Sequence, residues 1–168
     1  MLRRSFRPPA LLLALLLPFV TAACGTTMVP FNSTHASGHP TLTAQSCVPY
    51  ARQVSGIQIY GDAYQWWDRA EPRYQRGRTP APGSVLVLSR TRQMTHGHVA
   101  VVKRVVNPRE IDVTQSNWGN NWRTRRVVYE SQRVQDISPR NDWSSVRFWN
   151  YEKNVYGFPY AVRGFIYP

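Results

Sequence analysis

At 168 residues the chain has room for one domain and a tail, not for two independent cores. With 42% hydrophobic and 18% charged residues, 10 Gly and 13 Pro, it is a loop-rich globular sequence, which excludes a coiled coil, a collagen-like chain and a largely disordered one. The net charge is +12, from 21 Lys+Arg against 9 Asp+Glu. Of the 21 basic residues only Lys103 and Lys153 are lysines, so genome base composition accounts for part of the bias.

The first element is a leader. Arg3, Arg4 and Arg7 precede the apolar run of residues 10–20, and Thr21-Ala22-Ala23 follow before Cys24. The run is too short for a membrane span, which needs about 20 residues. A basic start, a short apolar stretch and a small-residue cleavage site predict a secretory signal peptide over 1–23. Cys24 then has two fates. Cut by the lipoprotein route, it becomes a lipidated first residue and a membrane tether. Against that, Thr21 stands where a lipobox wants an aliphatic residue. Loss of the leader removes three Arg and no acid and leaves +9, which suits an anionic envelope surface. Charge is the only feature favouring nucleic acid, and no binding motif accompanies it.

Residues 24–44, rich in Thr, Ser, Gly and Pro, read as a flexible linker, and 45–168 as the single folded domain. A helix is predicted over 47–55. Ser46 stands at its N-cap, Pro49 is tolerated in the first turn, Cys47, Tyr50, Ala51 and Val54 share a face, and Gly56 stops it. A second is predicted over 62–70, capped by Asp62, with Ala63, Trp66, Trp67 and Ala70 on one face. Pro72, Gly77, Pro80, Pro82 and Gly83 make 71–83 a loop. The period then changes to that of strands at 84–88, 98–106, 111–117, 126–129 and 161–167, with 107–110 as a turn. Helices followed by an antiparallel meander predict an α+β domain with N-terminal helices packed on an antiparallel β-sheet.

Two cysteines cannot form a disulfide framework, and with Cys24 at the mature terminus Cys47 is left as a free thiol in an oxidising compartment. At the first turn of a helix, a thiol's pKa is lowered by unpaired N–H groups and the helix dipole. Its own N–H there can serve a developing oxyanion. From the helix alone, Cys47 reads equally as a small buried hydrophobe. Candidate bases are His35 and His39 on the linker and His96 and His98 at a strand start; only the last two can hold a fixed geometry. Pairing Val106 with Ile111 across the turn sets Val102 against Gln115 and Ala100 against Asn117. His98, Gln115 and Asn117 then share one face, with Asp112 on the other. An amide oxygen of Asn117 or Gln115 can accept from one imidazole nitrogen and leave the second for Cys47. His96 and His98 as a metal pair lack a local third ligand, and no metal or cofactor is expected.

Cys47-Val48-Pro49-Tyr50-Ala51, Pro82-Gly83-Ser84-Val85-Leu86-Val87, Gly97-His98-Val99-Ala100-Val101-Val102 and Gln115-Ser116-Asn117-Trp118, in that order, resemble the CHAP domain. That is the cysteine, histidine-dependent amidohydrolase/peptidase family, related to the NlpC/P60 enzymes and to papain. The resemblance implies a papain-like α+β fold with Cys47 as nucleophile, His98 as general base and Asn117 as the orienting residue. The family often has an acid where this chain has Gln115, which leaves the third member open between Asn117 and Gln115.

The function so implied is an exported cysteine amidase or endopeptidase acting on amide bonds of cell-wall peptidoglycan, in the periplasm or cell envelope. Trp118 and Trp122 are candidates to line the groove, while Trp143 and Trp149 read as readily as core. The alternatives are a non-catalytic envelope- or peptidoglycan-binding protein on the same fold, and an amidase of a small peptide conjugate.

Overall fold

The computed structural model describes residues 41–42 and 45–168. The leader, Cys24, His35 and His39 lie outside the described residues. Helix α1 (Cys47–Ser55) begins after Ser46 in extended backbone and ends at Gly56, whose φ of 76° is the left-handed conformation that turns the chain out of a helix. Cys47 and Ala51 are buried, Tyr50 is half-buried, and Val54 is 45% exposed. The packed face is therefore the first two turns, and the helix runs off the sheet before its fourth apolar position. The second predicted helix is a 3-10 turn, Ala63–Gln65, running into the four-residue α2 (Trp66–Arg69). Gln65 Oε1 accepts the Asp62 N–H at 3.0 Å, which closes its start. Ala63, Trp66 and Ala70 are buried as expected.

Among the described residues eight strands follow or flank these helices: β1 (Thr41–Leu42), β2 (Arg76–Gly77), β3 (Val85–Leu88), β4 (His98–Asn107), β5 (Glu110–Ser116), β6 (Val127–Asp136), β7 (Ser145–Asn150) and β8 (Val155–Ile166). All pair antiparallel. β3 to β6 form a consecutive ladder, β7 joins β6 to β8, and β8 returns to β3, so six strands close into a barrel. β1 and β2 add short edges, on β6 and β8. Thr41–Leu42 fall within the stretch read as linker and pair with Val128 and Val127.

The α+β, papain-like expectation of helices on an open sheet is overturned. The described residues are mostly β, a closed six-stranded antiparallel barrel with two short α-helices among them. Closure depends on residues 130–136, 145–150 and 155–160, none of which carries a strand pattern. They are polar and aromatic by turns, with Gly157 and Pro159 in the last stretch. Without them the sheet reads as an open meander.

Strand alternation divides the core in two. Leu86, Leu88, Ala100, Val102, Ile111, Val113, Val134, Val146, Phe148, Val162 and Phe165 form one cluster. Val85, Val87, Val99, Val101 and Ile166 form the other, with Cys47, Ala51, Ile57, Ile59, Ala63, Trp66 and Ala70 of the helical segment. The segment carrying Cys47 is thus fixed by the opposite faces of β3 and β4, each fully buried aliphatic side chain contributing about 1.5–3 kcal/mol. Trp143 is also core, edge-on to Phe165 with centroids 5.7 Å apart.

The β4–β5 hairpin turns where predicted, with Asn107 opposite Glu110, but two bulges in β4 move the register. Val105 pairs with Ile111, and Val102 with Val113 rather than Gln115. Between the bulges the slip is one residue, which sets Arg104 against Asp112; past both it is two, and parity is restored. His98 and Gln115 still lie on one side of the sheet.

Candidate active site

Three strand ends and one helix start converge here. Ser116 Oγ donates to the Gln45 carbonyl at 2.5 Å, and Tyr50 and Thr114 hydroxyls lie 2.6 Å apart. Alternate residues of β5, Thr114 and Ser116, therefore hold the start of α1, while Gln115 between them points to the other face. There its Oε1 is 2.8 Å from His98 Nε2. On the other side of β4, Gly97 has φ of 66°, and a Cβ there would lie 2.8 Å from the Tyr64 nitrogen. Only glycine lets the His96–His98 turn close on Tyr64, whose N–H donates to the His96 carbonyl at 3.1 Å.

His98 is 3% exposed. Burial lowers its pKa from the usual 6.5 to about 4, against the smaller opposing effect of the Gln115 bond. The ring is neutral at pH 7. Trp118 lies against it at 4.6 Å between centroids, and Trp118 itself packs on Phe148 and Tyr160 at 4.5 and 5.0 Å.

Cys47 is 8% exposed. Burial raises its thiol pKa above the ordinary value. The backbone N–H groups of Val99, Val48 and Cys47 itself pull it down by less, and the Asp62 carboxylate adds a small upward push. The helix-start amides act in the expected direction, but desolvation outweighs them, so the resting pair is a thiol and a neutral imidazole. The β4–β5 pairing ends at Val101 and Thr114, which leaves the Val99 amide for the thiol, one residue from His98. Among the described residues no hydrogen bond joins the Cys47 thiol to the His98 ring.

The expected site residues separate clearly. Gln115 contacts His98; Asn117, half-buried at φ of 59°, is the left-handed residue just past β5, and no bond joins it to the ring. Trp118 walls the imidazole, whereas Trp122 is 67% exposed with the Arg123 guanidinium 5.4 Å from its ring. Asp112 is held away from the site by Arg104 and Arg133, each at 2.6 Å. His96 is exposed in the turn, with Nδ1 3.1 Å from Asp62. Trp149 stacks edge-on against Tyr156.

Sequence reasoning missed Gln132. Its Oε1 accepts from Gln115 Nε2 at 2.5 Å, and its own Nε2 donates to the Trp149 carbonyl at 2.7 Å. The available signal was the alternating burial of Gln132, Val134 and Asp136, which polar side chains conceal.

A crystal structure of Ly7917 with the hydrolyzing product of MDP is 12% identical to this chain, with a TM-score of 0.41 over 77% of this chain and 56% of that one. A second crystal structure of Ly7917 gives 13% identity and a TM-score of 0.42 over the same shares. This chain thus spans little more than half the length of Ly7917. No curated protein matches it. Residues 36–117 match the CHAP domain. That stretch opens ahead of α1 and closes on Asn117, taking in Cys47, His98 and Gln115 and leaving β6 to β8 beyond it; over it the chain is similar to the CHAP domain.

Proposed function

We propose that the chain is an exported cysteine amidase or endopeptidase that hydrolyses amide bonds of cell-wall peptidoglycan. The observation that carries the reading is the 2.8 Å contact of His98 Nε2 with Gln115 Oε1, on the strand whose Val99 amide meets the Cys47 thiol. That contact leaves Nδ1 as the free nitrogen of a neutral ring.

With both groups neutral at rest, proton transfer accompanies attack. His98 Nδ1 takes the thiol proton as Cys47 Sγ bonds to the amide carbonyl, and the Cys47 N–H at the helix start stabilises the oxyanion. The tetrahedral adduct collapses with cleavage of the C–N bond, and His98 passes its proton to the leaving amine. Water then attacks the thioester, giving one proton to His98, which returns it to the departing Sγ. The acyl product leaves as a carboxylic acid. No step calls for a metal or cofactor.

The wall as substrate rests on the CHAP family, on the signal-peptide pattern of residues 1–23 and on the +9 charge left once that leader is removed, which suits a polymer bearing acidic peptides. A membrane tether through Cys24 belongs to the same proposal. The test is to incubate the full chain with purified peptidoglycan and identify released fragments by mass spectrometry, with Cys47→Ala alongside. Fragments absent with the variant establish the hydrolase, and their new termini name the bond.

One observation favours a second reading, a wall-binding module on the same fold: the thiol is buried and unjoined to the ring. Binding without cleavage by either form, across several wall types, would bring it to the front.

A further inference from the structure

We propose that Gln132, on β6, is a positioning residue that fixes which nitrogen of His98 carries the proton. The inference rests on the hydrolase reading for its catalytic consequence, but not for its geometry.

The direction of the hydrogen bonds follows from their far end. The Trp149 backbone carbonyl has no proton to give, so the Gln132 group facing it at 2.7 Å is the NH2. Gln132 then presents only its oxygen to Gln115, and the Gln115 group meeting it at 2.5 Å is again the NH2. Gln115 in turn presents its oxygen to His98 Nε2 at 2.8 Å, and an oxygen facing a neutral ring demands a proton on Nε2. A single carbonyl on β7 thereby fixes, through two amides, the tautomer of a ring on β4 and bares its Nδ1. Gln115 and His98 are buried, with Gln132 at 4% exposure, so the three groups are shielded from bulk solvent. A carboxylate at 115 would need no such help, because both its oxygens accept. An amide has one oxygen and can flip. Gln132 is what a Gln at this position requires.

The test is long-range 1H–15N correlation of the imidazole in the full chain, for wild type, Gln132→Leu and Gln132→Glu, with kcat and KM on wall fragments beside it. Wild type is expected to show protonated Nε2 and bare Nδ1 near neutral pH. In Gln132→Leu the Gln115 amide is free to flip, so the two tautomers mix, and kcat falls about tenfold or more with KM within about twofold. Gln132→Glu loses its donor to Trp149 yet still accepts from Gln115 Nε2. It is expected to keep the wild-type tautomer, which a merely structural role would not allow. Protonated Nδ1 in wild type overturns the proposal even if neither variant folds. So does a folded Gln132→Leu with the tautomer and kcat of wild type. A tautomer change in a protein that cuts no wall leaves the positioning role standing and the hydrolase reading fallen.

Discussion

Gln115 Oε1 lies 2.8 Å from His98 Nε2, two buried polar groups on neighbouring strands, and the next residue of β4, Val99, gives its amide to the Cys47 thiol. An amide in this place orients the ring without charging it. Gln115→Glu would put a carboxylate against the imidazole and favour its protonated form, so the acid limb of kcat/KM should move to higher pH. Gln115→Leu should cost about 10–100-fold in kcat through loss of ring orientation. Asn117→Ala should leave kcat within a fewfold, since Asn117 makes no bond to the ring. A larger loss at 117 than at 115 would reverse this assignment, and steady-state kinetics over pH 4–9 decides it.

His98 predicts a stability profile as well. Its folded pKa, about 4, is below the usual 6.5, so between these values the unfolded chain binds a proton that the folded one refuses. Its contribution is fully present above pH 6.5 and is lost as pH falls towards 4, to a total of roughly 3 kcal/mol. Urea unfolding at pH 7, 5.5 and 4.5 should show wild type weakening more steeply than His98→Gln. Parallel slopes would mean that the ring does not titrate as its burial requires. In kcat/KM the same group sets an acid limb near pH 4.

How much of this was legible depended on range. α1, its Ser46 start and its Gly56 stop are local signals, and the β3–β4–β5 order follows from β-branched runs. The barrel does not, because its closure rests on β7 and the first half of β8, where Arg147, Asn150, Gly157 and Pro159 interrupt any pattern. The hairpin register fails for a physical reason too. Bulges at two points of β4 leave no mark on hydrophobicity, yet they cancel in parity, which is why the pairing was wrong and the shared face of His98 and Gln115 right. Gln132 was hidden by a strand read as ending at Tyr129. The depressed thiol pKa expected at a helix start was outweighed by burial, a tertiary property.

Gly97 is predicted to be as necessary as a bonding residue. A Cβ would meet Tyr64 at 2.8–3.0 Å, on backbone as well as side chain, at a positive φ that alanine resists. Gly97→Ala should cost about 1–3 kcal/mol of stability. It should also lower kcat/KM at temperatures where the variant is folded, because His98 is the next residue. Unchanged urea midpoint and kcat/KM would remove the turn from the site's support.

The last prediction separates a thiol from a thiolate. Burial holds the Cys47 pKa above the ordinary value, so at neutral pH the thiolate that reacts with iodoacetamide is scarcer than in a free cysteine. Alkylation, followed by mass spectrometry on the peptide containing Cys47, should be slow at pH 7 and keep rising beyond pH 9. Fast labelling that is flat from pH 5 to 8 would instead mark a preformed thiolate–imidazolium pair, and the proton transfer concurrent with attack would have to be abandoned. Unfolding the protein should bring the rate at pH 7 up to that of an exposed cysteine, since what suppresses it is the packing of Cys47 among Ala51, Val99 and their neighbours rather than anything in the local sequence. Full suppression in urea would place the cause in the sequence and not in the fold.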